Sequence, residues 1–289
     1  MNSDHRAFSK ILTLSAVAAI GTGIFACCLI GVVVYRTVTE GASTVWEART
    51  LPVLVLFGLV AVGLARAASV VREQARATRE LGQNVHALSR RLPASLLDDV
   101  RAGGLDGRVQ LVEASEPFSF TYGVRAARVV ISEGLVTGLS ADELSAVLEH
   151  ERYHLRNADP LKAGVALAMS RMFFYLPVLH DLREHYIVGR ELVADRQAIR
   201  VHGAHSLAGA LQKALQGPAW FETGVAAAIG GTDGLEARVI QLESGDEPSP
   251  DPPSRAAVGV TMGAGTVLAG SLVGSLIAFG PVMARLCGA

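Results

Sequence analysis

The chain has 289 residues; half are hydrophobic and only 18% are charged, below the quarter that is usual for soluble domains. With a mean hydropathy of +0.36, this balance indicates a membrane protein. The formal net charge of −1 offers nucleic acid no general electrostatic attraction, which argues against it as a direct partner. Cys27 and Cys28 are neighbours within an apolar run, and Cys287 lies near the other end of the sequence, so the three cysteines make neither a disulfide framework nor a zinc site.

Two apolar runs near the N-terminus have the length of transmembrane helices. Residues 11–35 form a run that is too long for the hydrophobic region of a cleaved signal peptide. Residues 51–71 form a weaker candidate, because Arg66 interrupts them. Basic residues are more frequent outside this pair than in the loop between its members. The positive-inside rule therefore places the N-terminus and everything after residue 71 in the cytoplasm.

The segment that follows the second run is polar and helix-forming. Residues 71–92 carry Leu81, Val85 and Leu88 at helical spacing, and Pro93 ends the pattern. Two interpretations are open: a surface-lying or dimerising helix, which would allow a homodimer, and a solvated stalk that continues the second span.

Three short β-strands are predicted next, at residues 108–114, 118–122 and 128–132. Each has partial alternation of apolar and polar residues, and Pro117 and Gly123 separate them. The pattern then changes to helical spacing. The fold class expected for the chain is therefore mainly α with a small β-sheet (α+β).

The helix after these strands has clear boundaries. Ser140 and Glu143 form the S-x-x-E pattern of a capping box, which predicts a helix start. An apolar stripe at helical spacing follows. Asp159-Pro160 is expected to close the segment, because proline disfavours helical backbone in the residue before it.

This helix carries the pattern H-E-x-x-H at His150, Glu151 and His154. Residues four apart lie on one helix face, so the two imidazoles can bind one metal ion. Glu151 is placed to accept a proton from an attacking water. The pattern is typical of a zinc protease centre. The alternative is a chance match, which we expect in roughly one such sequence in a hundred.

The best candidate for a third metal ligand is Glu191. Glu191 and Asp195 are four apart on another helical pattern, so both can face the same site. Glu191 is assigned as the ligand, and Asp195 as the carboxylate that accepts a hydrogen bond from a ligand histidine. A solvated, charged helix face is the alternative, because arginines surround the pair.

The apolar residues 161–182 lie between these two elements. They cannot cross the membrane once, because His154 and Glu191 must meet at one ion. A buried helix, an interfacial helix or a re-entrant hairpin remains. His180, His185 and Tyr186 are candidates for stabilising an oxyanion, with a plain surface position as the alternative for each.

A linker and a further apolar run follow the site elements. Residues 244–255 are rich in proline, aspartate and serine, and residues 256–284 form a third candidate span. Gly270 and Gly274 form a G-x-x-x-G pattern that permits close helix packing.

Several stretches resemble the membrane-anchored zinc peptidases of the BlaR/MecR antirepressor family. They are VVISEGL at residues 129–135, LSADEL at 139–144, VLEHERYH at 147–154, then Arg156, Asp159, Pro160, the run Arg190-Glu191-Leu192, and Asp195. The similarity covers about half the chain. The related HtpX and CAAX prenyl protease group shares the zinc motif and the Glu-x-x-x-Asp element, so it is a close second.

The resemblance implies a gluzincin-like zinc peptidase attached to transmembrane helices. It implies Zn²⁺ held by His150, His154 and Glu191, with Glu151 as general base and Asp195 in support. It also implies that strand 118–122 pairs with an extended protein or peptide substrate, with a core strand as the alternative. Arg238 lies in a short element, residues 235–242, that also resembles the family.

The expected organisation has five parts in chain order. They are a transmembrane hairpin (1–70), a juxtamembrane helix (71–103), the zinc peptidase domain (104–243), a linker (244–255) and a C-terminal transmembrane helix (256–289). The expected function is cytoplasmic-face cleavage of a cytoplasmic repressor. Membrane-protein quality control and a non-catalytic, zinc-stabilised membrane scaffold are the alternatives.

Overall fold

A computed structural model describes residues 3–41, 51–215, 227–228, 234–248 and 252–286. Ten helices and five short strands occur in these ranges. The helices are α1 (Ser3–Glu40), α2 (Leu51–Ala87), α3 (Ala94–Ala102), α4 (Glu133–Gly138), α5 (Ala141–Arg156), α6 (Asp159–Met172), α7 (Val178–His202), α8 (Ala204–Ala214), α9 (Leu235–Ser244) and α10 (Arg255–Leu286). The strands are β1 (Ser89–Arg90), β2 (Val109–Val112), β3 (Ser119–Tyr122), β4 (Arg128–Ser132) and β5 (Ala227–Ala228). The expected mainly helical fold with a small sheet is confirmed.

The chain divides into two compact units. The first contains residues 1–8, 70–167 and 183–251, and the second contains residues 9–69, 168–182 and 252–289. All the residues that the sequence singles out for metal chemistry belong to the first unit.

The second unit contains the apolar parts of α1 and α2. Within the described residues, two helices are long and apolar enough to cross a membrane, over Asp4–Thr39 and Leu54–Ala87. Both predicted N-terminal runs are therefore helical. The run at 256–284 lies within α10, and its role as a third span stays a prediction.

Arg66, which interrupts the second apolar run, has a local partner in the same unit. Its guanidinium lies 5.0 Å from the centre of the Phe174 ring, within the range of a cation–π contact. Gly63 lies against the end of α6, where a Cβ would come within 2.5 Å of the Met172 carbonyl oxygen. The connection between α6 and α7 thus packs closely on α2.

The apolar segment 161–182 is two helices rather than one. α6 ends at Met172 and α7 begins at Val178, after Pro177. The expectation that Asp159-Pro160 closes the preceding helix is correct for α5, which ends at Arg156, but the pair also starts α6. Proline suits the first turn of a helix, because the missing N–H there has no partner in the helix.

The sheet of the first unit has the order β1-β2-β4-β3-β5. β2 and β4 are parallel, and β3 lies antiparallel to β4 with Phe120 opposite Val130. The three predicted strands are confirmed to within two residues. On its other edge, β3 pairs with β5 at Phe120 and Thr121, so the expected pairing with substrate stays a prediction.

The core of the first unit lies between this sheet and the helices α3, α5 and α8. Val129 and Ile131 of β4 pack there with Leu144 and Val147 of α5 and with Leu207 of α8. The predicted capping box starts α5: Ser140 accepts a hydrogen bond from the Glu143 N–H, and Glu143 accepts one from the Ser140 N–H. The metal-site helix is therefore fixed at its start and along one face.

Candidate metal centre

The two histidines of α5 point at one place inside the first unit. Both side chains are completely buried, and their Nε2 atoms lie 3.0 Å apart. The i,i+4 spacing on one helix produces this closeness. Such a distance between two ring nitrogens needs a proton or a cation between them, because two facing lone pairs repel.

Each histidine contacts a carboxylate through its other ring nitrogen. Nδ1 of His150 lies 2.8 Å from Oδ1 of Asp195, and Nδ1 of His154 lies 2.7 Å from Oδ2 of Asp159. A carboxylate only accepts hydrogen bonds, so each Nδ1 carries the proton. The lone pairs of both Nε2 atoms are then free to bind an ion, which is the usual state of metal-binding histidines.

Glu191 of α7 brings a third ligand atom to the same place. Its Oε2 lies 3.5 Å from Nε2 of His150 and 3.6 Å from Nε2 of His154, and it is buried with no hydrogen-bond donor among the described residues. The ligand atoms of these three residues all lie within 4.8 Å of one another. Two imidazoles and one carboxylate around an orphaned buried oxygen fit a bound divalent metal ion.

The electrostatics of these side chains favour added positive charge. Burial acts against the charged form of His154, but the charge of Glu191 and the hydrogen bond with Asp159 outweigh it and raise its pKa to about 10. The pKa of His150 is raised in the same way by Asp195 and Glu191, again against burial. Burial favours neutral Glu191, but the neighbouring histidines hold its pKa well below the usual range. A metal ion would replace the proton that the site otherwise holds.

Arg238 of α9 contacts two carboxylates of the site, those of Asp195 and Glu191. It is fully buried and binds Asp195 with two hydrogen bonds, from Nε to Oδ2 at 2.6 Å and from Nη2 to Oδ1 at 2.9 Å. Its Nη1 lies 3.9 Å from Oε2 of Glu191. Burial raises the pKa of Asp195, but the charge of Arg238 and the hydrogen bond with His150 bring it below its usual value. Asp195 thus joins the arginine to a metal-site histidine.

Glu151 is also completely buried, and two hydroxyl groups hold it. Ser119 Oγ donates to Oε1 at 2.8 Å, and Thr121 Oγ1 donates to Oε2 at 2.7 Å. Both hydroxyls come from β3, which packs against α5. The carboxylate of Glu151, the residue after His150, is therefore held against β3 in a defined position.

A comparison with protein families identifies what kind of chain has this site. A family model described as BlaR1 peptidase M56 matches residues 29–242, well over half of the chain. The chain belongs to the BlaR1 peptidase M56 family. The match includes α2, the sheet, and every residue of the candidate metal centre.

Individual relatives of this M56-family chain are proteins named as HtpX homologues. The one from Methanothermobacter thermautotrophicus is 30% identical over 166 residues, which is 46% of this chain and 64% of the relative. That from Desulfotalea psychrophila is 45% identical over 67 residues, 22% of this chain and 23% of the relative. That from Thermococcus kodakarensis is 38% identical over 72 residues, 24% and 25% of the two chains. The chain thus spans less than two thirds of each of these relatives. With the two long apolar helices, the comparisons indicate a membrane protein.

The three residues of this M56-family chain that the sequence offers for stabilising an oxyanion differ in their surroundings. His180 is exposed and His185 is partly buried. Tyr186 is buried, and its hydroxyl donates to Oδ1 of Asp159 at 3.2 Å. Burial and the charge of Asp159 raise the pKa of Tyr186, so it stays protonated as a donor. An oxyanion role for any of them stays a prediction.

Sequence reasoning missed most of the residues that support this M56-family site. The sequence gives Asp159 a place at the end of α5 and in the family-like pattern, and it gives Arg238 a place in a short family-like element. For Ser119 and Thr121 it predicts positions in a strand. Asp159 had a signal, because an acid five residues after the second histidine can reach that ring around the helix end. The partners of Arg238 and the two hydroxyls are distant in sequence, so only the folded chain reveals them.

Proposed function

We propose that the protein is an integral-membrane zinc metalloendopeptidase that cleaves protein or peptide substrates at the cytoplasmic face. The observation that carries this proposal is the meeting of His150, His154 and Glu191, from two separate helices, around one buried point. Membership of a peptidase family and the relatives named as proteases support the same activity.

The metal ligands in this proposal are His150, His154 and Glu191. Asp195 orients His150, and Asp159 orients His154, through the Nδ1 contacts. Three protein ligands leave a fourth position open, as catalytic zinc sites require. When bound there, zinc would polarise the scissile carbonyl and lower the pKa of a water to about 7.

Glu151 acts as the general base. Its carboxylate accepts a proton from the attacking water and passes it to the nitrogen of the departing amine. A non-catalytic zinc scaffold is disfavoured, because a purely structural zinc site has no use for a buried carboxylate next to the first histidine. The gluzincin-like assignment rests on the same residues, with Glu191 as the third ligand.

Two biological roles are compatible with this chemistry. Cleavage of a cytoplasmic repressor is supported by the match to the BlaR1 peptidase family. Membrane-protein quality control is supported by relatives that are named as HtpX homologues. The excess of basic residues on either side of the first two apolar runs supports a cytoplasmic peptidase domain for both roles.

The activity is tested with purified full-length protein that carries Glu151→Gln. We expect the variant to keep one zinc per chain and to lose peptide hydrolysis by at least about a hundredfold, which is typical for loss of a general base. Glu149→Gln is the matched control, because Glu149 lies on the same helix but contacts Arg152 and Gln197. Equal cleavage by wild type and Glu151→Gln would refute the assignment.

The two roles are separated by comparing the cleavage products of cells with wild-type protein and cells with Glu151→Gln. A small DNA-binding regulator among the products supports repressor cleavage. Fragments of misfolded membrane proteins support quality control.

A further inference from the structure

Strand β3 has two faces with different chemistry, and both are buried. On one face, Phe120 contacts the aromatic rings of Phe118 and Tyr122. On the other face, Ser119 and Thr121 are completely buried yet polar. Residues two apart on a strand share a face, so these hydroxyls point to the same side. Burying a hydroxyl costs free energy unless it makes a hydrogen bond, so this polar pair needs a specific partner.

That partner is a single residue, Glu151, whose backbone oxygen also lies 3.5 Å from Oγ1 of Thr121. Ser119 donates to one oxygen of Glu151 at 2.8 Å, and Thr121 donates to the other at 2.7 Å. All three side chains have no solvent exposure. Two donors on two different oxygens fix both the position of the carboxylate and the rotation of its plane, whereas one donor would leave that rotation free.

We propose that Ser119 and Thr121 are positioning residues for the general base Glu151. The inference rests on the proposed peptidase function and extends it to the strand beside the site. The two hydroxyls are called the hydroxyl pair below.

The hydroxyl pair suits a base that gains and then loses a proton. Each carboxylate oxygen has two lone pairs, so one hydrogen bond to each oxygen leaves a lone pair free for a water molecule. A hydroxyl both donates and accepts. It can therefore rotate to accept a hydrogen bond after Glu151 has taken a proton, which the N–H groups of lysine or arginine cannot do. The geometry of the pair thus holds the carboxylate in place and still leaves room for a water molecule.

The test exchanges the two parts of the Thr121 side chain. Thr121→Val keeps the shape and removes the hydroxyl, whereas Thr121→Ser keeps the hydroxyl and removes a methyl group. If the residue positions Glu151, we expect Thr121→Val to lower kcat about tenfold or more, with KM within about twofold, as for loss of a hydrogen bond to a charged group. Thr121→Ser should recover most of that rate, and both proteins should hold one zinc. If the residue only fills space, Thr121→Ser is the poorer enzyme, and that order would overturn the proposal.

A second measurement needs neither zinc nor activity. In chelator-treated protein, Thr121→Val should lower the melting temperature, because Glu151 loses a donor while buried. In a Glu151→Leu background the carboxylate is gone and Oγ1 of Thr121 keeps its weaker contact, 3.5 Å, with the backbone oxygen of residue 151, so the same substitution should lower the melting temperature much less. An equal decrease in both backgrounds would show that Thr121 does not act through Glu151.

Ser119→Ala provides the same comparison at the other oxygen. We expect a similar fall in kcat, and a larger fall when it is combined with Thr121→Val. Wild-type kcat in both single variants would overturn the proposal while leaving the peptidase function intact. An inactive zinc-loaded wild type would instead overturn the peptidase function, and the metal-free melting series would still test the hydroxyl pair.

Discussion

The buried ion pair between Arg238 and Asp195 gives the sharpest prediction about stability. In Arg238→Met, Asp195 loses both guanidinium hydrogen bonds, and within the described part of the chain its contact with Nδ1 of His150 remains. Hydrogen bonds to charged groups contribute about 1.5–3 kcal/mol each, so two of them amount to about 3–6 kcal/mol. Removing one partner of a buried ion pair costs about 3–5 kcal/mol, which agrees with that range.

A loss of this size is a large part of the stability of a typical domain, about 5–15 kcal/mol. We expect the thermal midpoint of the metal-free, detergent-solubilised protein to fall by about 6–20 °C in Arg238→Met. Zinc affinity should also fall about ten- to a hundredfold, because Asp195 no longer holds His150 as firmly. Differential scanning calorimetry and zinc competition titrations measure these two quantities.

Two further variants make the result interpretable. Arg238→Lys keeps the charge but not the paired hydrogen bonds, so its midpoint should lie between those of Arg238→Met and wild type. Arg101→Met removes an exposed arginine, whose side chain is 62% exposed, and should leave the midpoint almost unchanged. About 2–4 °C of midpoint correspond to 1 kcal/mol in a protein of this size. A fall of less than about 2 °C in Arg238→Met would therefore mean a loss below about 1 kcal/mol and would refute the reasoning.

Three other predictions concern the metal-free fold. The pKa of His154 is raised to about 10 in the folded state, so its protonation stabilises the fold. This stabilisation is complete below about pH 6.5 and is lost as the pH rises to about 10. The thermal midpoint should therefore fall between these two pH values. Saturating zinc should remove this slope; a flat metal-free profile would contradict it. Gly134→Ala should destabilise the fold by about 1–3 kcal/mol in chemical unfolding, because a Cβ there would overlap the backbone carbonyl oxygen of Ser115. Gly138→Ala, with nothing within 4 Å, is its control, and equal stabilities would refute the steric argument. The pKa of Glu143 is lowered, chiefly by its hydrogen bond with Lys213. The stabilisation by the ionised Glu143 is present above its unfolded pKa of about 4.3 and is lost as the pH falls. The free energy of unfolding of Glu143→Gln should therefore decrease less on acidification than that of wild type.

Much of the local structure follows from patterns that are short in sequence. The S-x-x-E pattern at Ser140 and Glu143 predicts the start of α5, and the structure has the capping box there. Three alternating runs predict the three main strands, because side-chain direction alternates along an extended chain. These features depend on neighbouring residues, so tertiary contacts do not need to be known.

Other features were only partly predictable. The segment 161–182 is apolar with an interruption at Pro177, and hydropathy alone does not decide whether such a stretch forms one helix or two. The structure breaks it between Met172 and Val178. Likewise, the two-residue pairing of β5 with β3 has no signal in Ala227 and Ala228, since two alanines carry no strand pattern.

The sequence by itself determined the chemistry that is available: two histidines one helical turn apart, a carboxylate beside the first, and a second Glu-x-x-x-Asp pair farther along. Spacing on one helix is a local property, which a linear pattern records. Only the tertiary structure decided how that chemistry is arranged. It placed Glu191 against both histidines, Arg238 behind Asp195, and the Ser119 and Thr121 hydroxyls on the two oxygens of Glu151. Those contacts join residues some 30 to 45 positions apart. Burial makes them strong, and burial is a property of the whole fold.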